Sequence, residues 1–130
     1  MTSPNTEVLK IFLSIPMTGR TEEQLNDAVA IEHNRLNNLF KKYKIEIHDG
    51  REVFKKSYTN NENFVSAIAL LEKCDICAMA EAWPYSEGCK IEREIAVKFG
   101  KPIVITDTEY TPSFIKTYIV GKALSTKHSL

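Results

Sequence analysis

At 130 residues the chain suits one domain, and a hydrophobic fraction of 43% is enough for an ordinary core. Lys plus Arg equals Asp plus Glu at 17 each, so the basic excess of a general nucleic-acid binder is missing and no nucleic-acid partner is expected. No run approaches the roughly 20 apolar residues of a membrane span. The polar start, residues 1–7, also lacks the apolar core of a signal peptide, so a cytoplasmic location without a membrane partner is expected.

Val8 to Ile15 reads as the first strand, an apolar run with few polar breaks, and the breaker segment Pro16-Met17-Thr18-Gly19-Arg20 follows it. The first helix is expected over Thr21 to Lys42. Thr21 is its N-cap, Gln24 completes a capping box, and Leu25, Ala28, Val29, Leu36, Leu39 and Phe40 share one face. Ile45 to His48 is a short second strand, and Asp49 to Asn61 a polar loop. A second helix over Glu62 to Lys73 turns Phe64, Val65, Ile68 and Leu71 inward. Asp75 to Ala80 is a third strand. A third helix, Glu87 to Phe99, carries Ile91, Ile95 and Phe99 at helical spacing toward the sheet and stops at Gly100-Lys101-Pro102. Ile103 to Thr106 is a fourth strand, residues 112–120 suit a last short helix, and 122–130 form a polar tail.

Strands alternating with helices predict an α/β fold. It is a single-domain flavodoxin- or Rossmann-like three-layer sandwich with a four- to five-stranded parallel sheet of order 2-1-3-4 and a core over about residues 8–120. Such sheets bind ligands in the crevice at the carboxyl ends of the strands. Three segments reach that edge. The loop Ser14 to Arg20 precedes a helix N-terminus, where main-chain amides favour anions, and Gly19 permits close approach; an ordinary strand-to-helix turn is the alternative. His48 and Asp49 end the second strand, where a histidine is as readily a satisfied polar residue as a catalyst. The third segment runs from Trp83 through Ser86 and Gly88 to Glu92. Its aromatics either stack on a base or cover the domain edge, and Glu92, one turn into the third helix beside the apolar stripe, is the leading candidate for chemistry.

The first loop is neither a Walker A sequence nor G-x-G-x-x-G, and no cofactor is expected. Cys74 and Cys77 form a C-x-x-C, but with no second pair and no nearby His they read as buried structural cysteines, set on opposite faces of a strand, and no metal is expected.

Phe12-Leu13-Ser14-Ile15-Pro16-Met17-Thr18-Gly19-Arg20 resembles the first loop of the nucleoside 2-deoxyribosyltransferase-like superfamily, in particular its small bacterial and phage branch with an S-x-P-M-x-G loop. Leu71 to Asp75, Trp83, and Ser86 to Glu92 resemble the second signature of that branch, and the likeness spans about Lys10 to Val104. The resemblance implies that Glu92 attacks or supports the anomeric carbon of a nucleoside or nucleoside 5′-monophosphate. It implies that Ser14, Pro16, Met17, Thr18, Gly19 and Arg20 meet the sugar or phosphate, with His48, Asp49, Trp83, Ser86 and Gly88 around the same substrate. It also implies a homodimer. The enzymes of the superfamily carry an Asp on helix two where Ala67 stands here, and a Tyr on strand one where Phe12 stands. Two readings follow: cleavage of an N-glycosidic bond or deoxyribosyl transfer, or nucleotide binding by a protein with reduced catalysis that senses or sequesters its ligand.

Overall fold

The computed structural model describes residues 8–107 and 121; the expected helix over 112–120, the tail over 122–130 and the polar start over 1–7 lie outside them. Four strands, β1 (Val8–Ser14), β2 (Lys44–His48), β3 (Ile76–Met79) and β4 (Ile103–Ile105), form one all-parallel sheet in the order β2-β1-β3-β4. Between them run α1 (Glu22–Leu39), α2 (Asn60–Glu72) and α3 (Glu87–Lys98). The fold is the expected α/β sandwich. No helix among the described residues is long and apolar enough to cross a membrane.

The continuous apolar run of β1 belongs to a central strand covered on both sides. Its side chains alternate, so Leu9, Ile11, Leu13 and Ile15 join the core under α1, with Val29, Leu36 and Phe40. Phe12 points the other way, into a second core with Ala67, Leu71, Cys77, Met79, Cys89 and Ala96 under α2 and α3. The same alternation turns Ser14 toward α3. Edge strand β2 is more exposed, as its Lys44-Ile45-Glu46-Ile47-His48 pattern requires.

Capping fixes where the helices begin and end. Thr21 and Gln24 form the expected reciprocal box at α1. Thr59 and Glu62 form a second one, which starts α2 at Asn60 rather than at Glu62. Gly100, at φ +73°, ends α3 in a Schellman arrangement: its N–H donates to Val97 and that of Lys101 to Ala96.

Three expectations are corrected. Val65 is 66% exposed, and α2 turns Ala67 and Leu71 inward with Phe64 and Ile68 half-buried, the i, i+3, i+4, i+7 stripe that leaves residue 65 outside. In α3, Ile91 is 43% exposed and Phe99 is exposed too, while Cys89 and Ala96 are buried. The small side chains set the helix close to the sheet, and this rotation carries Glu92 onto the inner face instead of beside it. Finally, Cys74 and Cys77 share one core rather than opposite faces. Cys74 precedes the strand, its N–H still bonded to the Leu71 carbonyl at the end of α2, so strand alternation does not govern it. Burial pushes the Cys74 thiol up to about 12 and Cys77 further in the same direction. Both are poor thiolates.

Candidate functional site

A cleft of about 610 Å³ opens at the carboxyl edge of the sheet on the α2–α3 side. Four segments line it. The end of β1 and its loop supply Ile15, Pro16, Met17 and Thr18; the connection after β2 supplies Gly50 and Phe54; α2 supplies Asn60, Asn63, Phe64 and Ala67; and the start of α3 supplies Tyr85 to Cys89 and Glu92. Three of these segments converge at Gly50, where an added Cβ would meet the Met17 Cε and the Ala67 Cβ.

Glu92 and Ser14 form its chemical centre. Ser14 ends the central strand, is almost wholly buried, and donates from its Oγ to the Glu92 Oε1 at 2.6 Å. The bond joins residues 78 apart in sequence. Burial pushes the Glu92 carboxyl up to about 7, and the hydrogen bond from Ser14 offsets this only in part. Neither a helix N-terminus nor an arginine holds the group ionised: Glu92 sits at the sixth residue of α3, beyond the first turn where the helix dipole acts, and no arginine is bonded to it. A carboxyl poised near neutrality, with one oxygen held and the cleft beside it, can accept or release a proton or approach an electrophilic carbon.

Ser86 lines the cleft and caps α3, its Oγ accepting from the Cys89 N–H at 3.2 Å. The turn before it holds Ala82 in the left-handed region, φ +69°, at a backbone cost of about 1 kcal/mol for a non-glycine residue. This turn leads to Tyr85, which is 92% exposed at the cleft. Thr18 and Gly88 also line the cleft as the sequence led one to expect, and Gly19, at φ +82°, makes the turn of the first loop without lining it. Ala67 and Phe12, which stand where polar residues were expected from the resemblance, are both in the lining.

Four other expected residues lie elsewhere. Arg20 lines a separate cavity of about 50 Å³ on the α1 side, with Glu32 and Glu81. His48 stands between two carboxylates, Nδ1 2.9 Å from Glu52 and Nε2 3.1 Å from Glu46, and the Glu52 bond raises its pKa. Asp49 caps the turn Gly50–Glu52, accepts from the Arg51 N–H at 2.9 Å and pairs with its guanidinium. Trp83 packs against the α2–α3 core with the Arg93 guanidinium 5.5 Å from its ring centroid. His48, Asp49 and Trp83 are engaged by their neighbours outside the cleft, whereas the Arg20 Nη1 is buried without a hydrogen-bond partner.

Sequence reading missed Phe54, because nothing periodic marks the long connection after β2, and also Asn60 and Asn63 in the first turn of α2. The Asn63 amide clasps Lys55, donating to its carbonyl at 3.1 Å and accepting from its N–H at 2.9 Å, and so fixes the segment that carries Phe54. It also missed Glu32, buried at 3% exposure in the α1 stripe, whose oxygens take the Arg35 guanidinium at 2.7 Å, the Glu81 N–H at 3.3 Å and the Thr106 hydroxyl. Position 32 falls three after Val29 and four before Leu36, so a carboxylate inside an apolar stripe was the available sign.

No curated protein and no solved structure matches the chain. One family matches residues 9–105, a span from β1 to β4 that includes every described residue of the cleft, and the chain therefore belongs to the family described as "Domain of unknown function (DUF4406)".

Proposed function

We propose that the cleft cleaves the N-glycosidic bond of a nucleoside or nucleoside 5′-monophosphate, passing the sugar to water or to a second base. The observation that carries this reading is the Ser14–Glu92 pair, a half-buried carboxyl held by one hydrogen bond and facing a cleft large enough for such a ligand. Breaking the bond develops positive charge on the sugar ring. A carboxylate beneath the anomeric carbon stabilises that charge or forms a covalent glycosyl ester, as in retaining glycosidases. The low-polarity site strengthens the attraction as charge appears. Because burial raises the carboxyl to about 7, Glu92 is ionised and active mainly above neutral pH. Ser14 orients it. Phe54 and Tyr85 offer exposed aromatic faces to a base, and Thr18, Asn60 and Ser86 offer hydrogen bonds to a sugar. The resemblance of the first loop and the Ser86–Glu92 segment to nucleoside 2-deoxyribosyltransferase-like proteins supports the same chemistry. A homodimer and a cytoplasmic location belong to this proposal on the same footing.

A second reading, a nucleotide-binding protein with reduced catalysis, is favoured by Ala67 and Phe12, apolar where a catalyst of that superfamily carries an Asp and a Tyr. Incubation with a panel of nucleosides and monophosphates, followed by chromatography for free base, separates the two. Free base released above the uncatalysed rate supports the first; binding without release supports the second.

A further inference from the structure

The charges around the cleft are one-sided. Among the described residues its lining contains two carboxylates, Glu87 and Glu92, and no Lys, Arg or His. Nearby cations lie outside the lining: Arg20 lines the cavity with Glu32 with its Nη1 unpartnered, Arg51 bonds Asp49 and Asn26, Arg93 lies over Trp83, and Lys55 over Tyr58. The N-terminus of α3 at the cleft would ordinarily attract an anion. Here its own residues already complement it: Ser86 takes the Cys89 N–H, and Glu87 places a carboxylate in the first turn. Glu87 pairs with Lys90 at 2.7 Å, which draws that ammonium to the carboxylate as well.

We propose that Glu87 is a specificity-determining residue which, with Glu92, makes the cleft select an uncharged nucleoside and reject its 5′-phosphorylated form. This rests on the glycosidic reading above. A phosphate ester brings a charge of about −1.5 to −2 at neutral pH. It would meet two carboxylates, one of them already holding Lys90, and no cation in the described lining, whereas a 5′-hydroxyl needs only a hydrogen-bond partner such as Thr18, Asn60 or Ser86. Glu87 holds the Lys90 ammonium to itself and Glu92 has no ion-pair partner among the described residues, so a phosphate is disfavoured by repulsion.

The test compares one nucleoside with its own 5′-monophosphate, for wild type, Glu87→Gln and Arg20→Ala, by base release and by calorimetric binding. Wild type should favour the nucleoside by about tenfold or more in kcat/KM. Glu87→Gln frees Lys90 and the helix terminus, and should shift the ratio toward the monophosphate by roughly three- to fivefold. That shift should fade in roughly 0.5 M salt, while Arg20→Ala leaves the ratio unchanged. A wild-type preference for the monophosphate, a ratio insensitive to Glu87→Gln, or a preference that collapses in Arg20→Ala overturns the proposal while leaving glycosidic cleavage intact. If neither compound releases base, the glycosidic reading fails, and the dissociation constants decide the selection alone. Tighter nucleoside binding upholds it; equal affinity, tighter monophosphate binding or no binding overturns it.

Discussion

Two glutamates sit at the carboxyl edge of this sheet, one on each face, Glu32 buried and Glu92 half-buried, and their surroundings differ. Glu32, under α1, gives both oxygens to partners: the Arg35 guanidinium and the Glu81 N–H on one, the Thr106 hydroxyl on the other. It ties α1 to the segments that follow β3 and β4. Glu92, in α3, has a single hydrogen bond and faces open volume. A buried carboxylate with every oxygen engaged is a structural joint. One left partly unsatisfied beside a cleft is available to a ligand. The number of partners and the open side distinguish the available carboxylate from the joint.

The sharpest way to break this contrast is to delete each group and measure stability. Glu32→Ala strands the Glu81 N–H, the Thr106 hydroxyl and Arg35, and should cost about 2–4 kcal/mol in urea unfolding. A cost below about 0.5 kcal/mol would show that Glu32 is not a joint.

Glu92→Gln should act in the opposite sense, and depend on pH. The folded-state pKa of Glu92 is raised, from 4.5 to about 7. The folded protein thus binds this proton more tightly than the unfolded chain. The resulting stabilisation is fully present below pH 4.5 and is lost as pH rises through about 7. At pH 8 the wild type carries a desolvated charge and the variant does not, so Glu92→Gln should be the more stable by up to about 3 kcal/mol. The difference should vanish near pH 4. A variant less stable than wild type at pH 8 would mean that the carboxylate is well solvated or paired.

Two smaller effects sharpen the description of the cleft. Ser14→Ala removes the hydrogen bond that holds the Glu92 pKa down, so the rising limb of the pH–rate profile should move to higher pH with the plateau less affected. An unmoved limb would separate Ser14 from the titrating group. Tyr85→Ala should change stability by less than about 0.5 kcal/mol, since the ring is almost fully exposed, but raise KM about three- to tenfold if the ring stacks on a base. An unchanged KM would leave Tyr85 as surface.

Much of this was legible in the sequence because it depends on local rules. Alternating apolar runs and helical periods gave the strand order, the Thr21–Gln24 box gave the start of α1, and Ser86 and Gly88 before Glu92 marked the start of α3 at the sheet edge. What escaped depends on tertiary packing. The rotation of α3 was missed because Ile91 and Ile95 outweigh Cys89 and Ala96 in hydrophobicity, yet small residues decide how close a helix can lie. Glu32 was overlooked because the apolar members of its stripe were counted and the polar one between them was not. The Thr59-Asn60-Asn61-Glu62 box was readable and would have placed Asn60 on α2. The direction of Arg20 was not readable: a side chain after a turn has two faces to choose from, and the carboxylates of Glu32 and Glu81 lie on the other one.

The most direct test is the rate of base release by wild type and Glu92→Gln, measured side by side at pH 8 with the same nucleoside. Wild type should release base well above the uncatalysed rate. Glu92→Gln keeps the shape and the hydrogen bond from Ser14 but loses the charge, so kcat should fall by about 100-fold or more with KM little changed, because the interaction matters most in the transition state. Equal rates for the two proteins would contradict the assignment of Glu92 as the group that carries the chemistry.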